Sequence, residues 1–490
     1  MAGIKKNFLY NSILTSANYL FPIIVFPYVS RVLGVTSIGI CNYVDSIVQN
    51  FILISMLGIP IMGIREVVLA KRDRIRLNRV FSTILFLNAA MTALAVVILL
   101  SCTYLIQDLY QYKELMYVGV FKLVGNFLMI EWFFKGLEDF KYITIRSIAV
   151  RSLYVIAVFV FVQTKDDYIT YFVLTCSVFV INAIINLMYS RRYVSFTMQL
   201  LPFKEMAKPM GLLGIYMIFT SFYTSFNTSF LGIMTDATQV GYFTTATKLY
   251  TIILALFSAF TAVMLPRMTD ILSEGDYEKF KELLSRCSRL LFSIIIPVVF
   301  YGLIFANEII LLIAGKGYEG AVLPMRICMV VMLIVGYEQV IIIQGLMPLK
   351  RDKSVLINSM VGGFTALALC FILIPHLKSV GASFVWLGSE IATMISASIF
   401  INKYIGFKFP MNVFIVRLLY NIPLVALLYV LSIFLSIEDS IIGLVITLVV
   451  GACIMSVYTI VVQCKIIKEP TFIGLMAKLH LTKEVASQKR

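Results

Sequence analysis

Apolar runs long enough to cross a bilayer recur along the whole chain, each closed by a short polar break. About fourteen are legible, near residues 8–30, 36–63, 80–104, 114–134, 142–163, 168–190, 209–232, 240–265, 290–314, 321–347, 354–376, 379–401, 411–436 and 440–463. A helix rises about 1.5 Å per residue, so about 20 apolar residues cross a hydrocarbon core of about 30 Å. In lipid the backbone must satisfy its own polar groups, which leaves helices or a closed barrel. Runs this long and continuous predict helices rather than the short alternating strands of a barrel. The expected fold is therefore an all-α polytopic membrane protein. The stretch FPYVSRVLGVTSIG, residues 26–39, shows one break in miniature. A helix is expected to end at Gly34 with Arg31 at the membrane edge, and a second helix follows at once.

Composition agrees. Of 490 residues, 60% are hydrophobic and 14% charged, with a mean hydropathy of +0.94; a soluble chain carries about 25% charged residues. The net charge is +15, and its placement decides what it means. The amino end, the even-numbered connections and the tail hold 30 of the 41 lysines and arginines, against five in the odd-numbered connections and six within spans. By the positive-inside rule both termini lie in the cytoplasm, and the basicity needs no nucleic acid. Eight scattered cysteines form no Cys-x-x-Cys or Cys/His cluster, so neither a disulfide framework nor a metal site is expected. The start, MAGIKKNFLYNS, lacks the short apolar core and small-residue cut site of a cleavable signal, so the first run is expected to be retained.

A repeat underlies the pattern. Gly39 lies 26 residues before Arg65, and Gly241 lies 26 residues before Arg267. GLEDFK at 136–141 is matched by GLMPLK at 345–350. The offsets are 202 and 209, reconciled by a seven-residue loop difference. Spans 1–6 and 7–12 therefore read as two copies of a six-helix unit. Six is even, so both copies enter the membrane from the same side, as parallel repeats. The expected organisation is an N-lobe of residues 1–205, a C-lobe of 206–405, then two further helices and a basic cytoplasmic tail over 406–490.

Polar positions follow the same plan. Asn11, Thr15, Asn18 and Pro22 fall on one face of the first span, and Tyr216, Thr220, Tyr223 and Asn227 repeat that spacing on the seventh. Asn42, Asp45, Ser46 and Gln49 share a face of the second span; Thr244, Thr247, Lys248 and Thr251 hold the equivalent places on the eighth. A hydrated cleft and simple helix–helix hydrogen bonding both account for the neutral residues. The charges favour the cleft, because a charge facing lipid is costly. Lys248 sits well inside its span, Lys122 is similarly placed on the fourth, Arg326 is shallower and Arg31 lies at the outer mouth of the first. Asp45, Glu390 and Glu338 could hold a proton or Na⁺, or neutralise one of those cations. Glu131 and Lys135 read as an i,i+4 pair at a helix end. Residues 271–289 read as an amphipathic cytoplasmic helix joining the halves, and the tail from Lys465 as resting on anionic lipid.

No GxxxxGK[ST], HExxH or Gly-x-Ser-x-Gly occurs, and the chain has two histidines, His376 and His480. Neither P-loop nucleotide hydrolysis nor the familiar hydrolytic constellations are expected, and no catalytic residue or cofactor is assigned. Asp166-Asp167 reads as a solvated turn. The sequon Asn227-Thr228-Ser229 falls inside a span and is discounted.

NYLFPIIVFPYVSRVLGVTSIG, then Gly58 with IMGIRE, then EWFFKGLEDFKYITIRSIAVR at 131–151, resemble the Wzx-type polysaccharide-unit flippases. These belong to the multidrug/oligosaccharidyl-lipid/polysaccharide exporter superfamily. The resemblance implies movement of undecaprenyl-pyrophosphate-linked oligosaccharide from the inner to the outer leaflet of the bacterial cytoplasmic membrane, by alternating access around a cationic cavity. On that reading Lys248, Lys122, Arg326 and Arg31 supply charge, and Asn18, Gln49, Tyr216 and Tyr223 meet sugar. H⁺ or Na⁺ would be the coupling ion. Membrane lipids are expected partners, polysaccharide polymerase and chain-length machinery candidate ones, and the chain is expected to act as a monomer. The rivals are a multidrug or organic-cation antiporter and a peptidoglycan-precursor flippase of the same fold, and, in another class, a membrane-embedded polysaccharide polymerase.

Overall fold

The computed structural model describes residues 2–201, 203–434, 440–470 and 472–474; most of the basic tail lies outside the described residues. Their architecture is all-α, with no strand among them. In order the helices are α1 (Ala2–Met56), α2 (Ile59–Ala70), α3 (Arg74–Leu105), α4 (Gln107–Tyr110), α5 (Lys113–Leu128), α6 (Glu131–Gly136), α7 (Phe140–Phe161), α8 (Tyr168–Ser190) and α9 (Phe203–Phe222). There follow α10 (Ser225–Met234), α11 (Ala237–Ser273), α12 (Tyr277–Ile304), α13 (Ala306–Ile313), α14 (Val322–Gln339), α15 (Asp352–Ile405), α16 (Met411–Tyr420), α17 (Ile422–Phe434) and α18 (Ile441–Val461). Ten helical stretches among the described residues are long and apolar enough to cross a membrane. The protein is a multi-pass membrane protein.

Two of those stretches, Tyr10–Ala70 and Asp352–Ile405, run to 61 and 54 residues, far beyond the ~20 one crossing needs. Each contains a kink. In α1 it is Gly34, at φ 76° and ψ 171°, a region of backbone space that is essentially glycine's alone. In α15 it is Lys378, at φ 51° and ψ −126°. Both kinks fall in polar breaks between spans expected from the sequence. Other breaks interrupt spans expected to be continuous. The second is broken at Leu57–Gly58, the fourth at Met129–Ile130 and the seventh at Tyr223–Thr224.

The segment 271–289 is not a separate connecting helix. α11 continues to Ser273 and α12 starts at Tyr277, with Gly275 at φ 77° in the turn. Asp276 caps α12 by accepting from the Lys279 amide at 2.9 Å. The amphipathic residues are thus extensions of two long helices past the apolar zone, which a hydropathy pattern alone cannot distinguish from a helix of their own.

The chain divides into two compact units, Met1–Thr244 with Gly362–Trp386, and Thr245–Val361 with Leu387–Arg490. They are drawn by packing and not by repeat, so residues 206–244 of the second sequence copy count with the first unit. That unit's core gathers Phe81 of α3, Trp132, Phe133 and Phe134 of α6, and Ile143 of α7. Phe134 leans on Tyr142, with ring centroids 4.9 Å apart, and Tyr142 stacks on Tyr189 at 3.7 Å. In lipid such packing gains van der Waals contact more than apolar transfer, because the solvent is itself apolar. In the second unit Phe305, Leu424, Leu428 and Leu448 form a smaller cluster, and the Tyr301 hydroxyl donates to the Leu448 carbonyl at 2.8 Å.

One packing detail bears on the repeat. Thr36 and Thr238 share a hydrogen bond at 3.0 Å, and Asn42 donates to Thr244 at 2.9 Å. Both pairs are separated by the repeat offset of 202. A Cβ on Gly39 would collide with the Ala237 carbonyl oxygen, and one on Gly241 with the Val35 carbonyl oxygen. The contact is therefore reciprocal under the same shift, as packing about a local two-fold axis requires.

Candidate functional site

In the first unit the second half of α1 carries the expected polar face. Asn42 is used against Thr244, Ser46 bonds Ser229 of α10 at 2.8 Å, and Asn50 donates to the same Ser229 hydroxyl at 2.9 Å. Ser225 closes the ladder by donating to Asn50 at 2.7 Å. Asp45, on the same face, meets Lys122 of α5: Nζ lies 2.5 Å from Oδ1, with side-chain exposures of 4% for the lysine and 37% for the aspartate. The ammonium also lies 4.8 Å from the centre of the Phe179 ring. A lysine this deep needs a counter-charge, since solvent no longer supplies one. Asp45 therefore neutralises Lys122, one of the two roles open to it from sequence.

The remaining first-unit candidates stand differently. Arg31 is exposed, with Nη1 donating to the Pro27 carbonyl at 3.0 Å, three residues before the kink at Gly34. Asn18 is exposed and Gln49 half-buried. Tyr216 and Tyr223 are half-buried, the first with its carbonyl accepting from Thr220 at 2.8 Å and the second at the break between α9 and α10. Asn227 is buried and donates to the Ala382 carbonyl at 2.9 Å, so it serves helix packing, as a residue inside a span should.

In the second unit two acids come together. Glu338 lies in the last turn of α14, before the π-helical Val340–Leu346, a distortion frequent at functional sites. The Thr393 hydroxyl is 3.0 Å from Glu338 Oε2 and 3.5 Å from Glu390 Oε2, and Asn358 donates to Glu338 Oε1 at 3.2 Å. Glu390 is 6% exposed, and Glu338 makes no ion pair among the described residues. The two carboxyls thus share one hydroxyl, which couples the protonation of one to that of the other. Thr393 and Asn358 were not singled out from sequence. The i,i+3 spacing of Glu390 and Thr393 was the available signal.

Lys248 of α11 is half-buried, and its carbonyl accepts from Thr251 at 2.7 Å. Arg326 is exposed, with Nε donating to the Leu303 carbonyl at 3.1 Å. Arg417 is buried in a network of its own, with Nη2 on Glu469 at 2.8 Å and Nε on Ser293 at 3.0 Å. An apolar cavity of about 650 Å³ opens beside Phe292, Tyr337, Met394 and Phe414, with Lys408 and Asn402 among its lining. Among the described residues no cluster of His, Cys, Asp and Glu could hold a metal ion.

A multi-pass bundle with broken helices and ionisable groups buried in its spans has the architecture of a membrane transporter. The chain belongs to the polysaccharide biosynthesis protein family, whose pattern it matches over residues 4–272. It is 24% identical over 397 residues to a "Putative O-antigen transporter" of Escherichia coli (strain K12), covering 79% of this chain and 94% of that one. A protein of the same name from Shigella dysenteriae is 26% identical over 324 residues, 64% of this chain and 79% of its own. Among solved structures, lipid II flippase MurJ in an inward closed conformation superposes with a TM-score of 0.73 at 12% identity, covering 94% of this chain and all of that one. An inward-facing multidrug resistance MATE family transporter gives 0.62 at 15% identity, over 83% and 94% of the two chains. The fold is that of the superfamily named from the sequence motifs.

Proposed function

We propose that this protein is a flippase for lipid-linked oligosaccharide. It would carry undecaprenyl-pyrophosphate-linked units from the inner to the outer leaflet of the bacterial cytoplasmic membrane by alternating access between duplicated six-helix lobes. The observation that carries this reading is the alignment with an O-antigen transporter relative over 94% of that protein's length. The reciprocal packing of residues 35–42 and 237–244 supports the duplication. Family membership supports the substrate class, and the Glu338–Glu390 pair supports coupling to an ion gradient. In this reading Lys248 offers charge to the pyrophosphate, with the termini in the cytoplasm and no bond made or broken in the substrate.

The test is transport of a labelled undecaprenyl-pyrophosphate oligosaccharide in proteoliposomes, wild type against Lys248→Ala. Movement by the wild type and loss in the variant is the expected result. Equal movement would keep the function and remove Lys248 from the route. The second reading, an organic-cation antiporter, is favoured by the paired acids alone, since acids suit a cationic substrate. Uptake of an organic cation, with no oligosaccharide movement by folded wild type, would select it.

A further inference from the structure

The cleft between α7 and α8 holds a buried guanidinium with donors to spare. Arg146, in the second turn of α7, is 5% exposed. Its Nη2 donates to Glu131 Oε1 and to Ser147 Oγ, both at 3.0 Å. Nε and Nη1 are buried and meet no acceptor among the described residues, which leaves three N–H bonds unspent. Buried donors without acceptors are rare in native proteins, and each one observed calls for a water or a bound ligand.

Arg146 lines a cavity of about 370 Å³ together with Asp139, Lys141, Tyr142, Ile145 and Tyr189. Lys141 is exposed and makes no ion pair among the described residues. The two nearby carboxylates are already engaged. Glu131 is shared by Arg146 and Lys135, the latter at 3.2 Å. Asp139 accepts from the Tyr189 and Tyr193 hydroxyls at 3.1 and 3.0 Å and from the Tyr142 amide at 3.3 Å. Burial, with Tyr189 and Asp139 beside it, raises the pKa of Tyr193, so its hydroxyl keeps its proton and remains a donor. The stacked Tyr142 and Tyr189 rings, 3.7 Å apart, pack side by side at that cleft.

The other walls are aliphatic: Ile145, Ala149, Val150 and Ile185. Unspent guanidinium donors and an ammonium at one end, with hydrocarbon along the sides, suit a phosphate carried on a lipid better than a free anion. We propose that the α7–α8 cleft binds the phosphate of a membrane lipid, Arg146 and Lys141 taking its oxygens and the aliphatic wall taking the start of its chain. Both a glycerophospholipid and a polyprenyl phosphate present this chemistry. The inference does not depend on the transport reading.

The test is native mass spectrometry of the full-length, delipidated protein titrated with phosphatidylglycerol, with diacylglycerol as the phosphate-free control. Arg146→Gln combined with Glu131→Gln should weaken phosphatidylglycerol retention about tenfold without changing that of diacylglycerol, and Lys141→Gln should weaken it about threefold. Should the double variant fail to fold, Arg146→Lys keeps the Glu131 pair, loses the planar fork and carries the same expectation. Undecaprenyl phosphate added as competitor sorts the source. Displacement of phosphatidylglycerol assigns the site to polyprenyl lipid, and persistence assigns it to glycerophospholipid. Equal retention of phosphatidylglycerol by wild type and all variants would mean that the donors hold water only, and would overturn the proposal.

Discussion

Two sites of ionisable groups within the spans, one in each unit, are built on different plans. In the first, a buried Lys122 meets a part-exposed Asp45 in a direct ion pair, so the charges cancel. In the second, Glu338 and Glu390 approach one another around the Thr393 hydroxyl. A base facing an acid is a finished interaction, costly to open and unresponsive to its surroundings. Two acids that share one hydroxyl are coupled, so the protonation of one bears on the other. In the proposed reading the first is structural and the second responds to an ion gradient, a difference that substitution can break.

The largest effect should come from the acid pair. Glu338→Gln or Glu390→Gln should cut gradient-driven transport about tenfold or more, since an ionisable group inside a membrane span is retained for function. Neither should lower the thermal midpoint in detergent. A lowered midpoint with transport intact would make the pair structural. Next comes Lys122→Met, which strands Asp45. It should cost ~2–3 kcal/mol in thermal unfolding, less than the ~3–5 kcal/mol of a fully buried pair because the aspartate is part-exposed. Lys122→Met with Asp45→Asn should recover most of that loss; no recovery would mean that the lysine acts through packing. Gly39→Ala and Gly241→Ala should each cost ~1–3 kcal/mol by overpacking. Both should destabilise, Gly39→Ala the more because its Cβ would meet the facing carbonyl more closely; a neutral effect at either would break the two-fold argument. The smallest is Thr393→Val, which should cost ~1 kcal/mol as a lost hydrogen bond and alter the pH profile of transport.

Much of this was legible in the sequence, for physical reasons. Apolar length alone marked the spans, and the spacing of Gly39 and Gly241 pointed to a repeat with which their reciprocal packing is consistent. Gly34 was readable as a helix break because its backbone conformation suits little else. The break at Leu57–Gly58 carried the same kind of signal, a left-handed glycine followed by Pro60, whereas those at Ile130 and Tyr223 did not, since those residues are as apolar or aromatic as their neighbours and hydropathy carries no backbone angle. Lys122 and Asp45 were each visible as ionisable groups within spans, but 77 residues separate them and no periodicity links them. Arg146 lies in the 131–151 stretch, but nothing in IRSIAVR says that two of its nitrogens are buried with no acceptor among the described residues.

The most direct test of the central claim is leaflet-resolved movement of undecaprenyl-pyrophosphate oligosaccharide in sealed proteoliposomes, with the proton and Na⁺ gradients imposed and then collapsed. The account predicts rapid movement under a gradient, its loss on collapse, and its loss in Glu338→Gln and Glu390→Gln under either condition. Movement that persists with every gradient collapsed, at wild-type rate in both variants, would contradict the coupling. Absence of movement by folded wild-type protein would contradict the flippase reading itself.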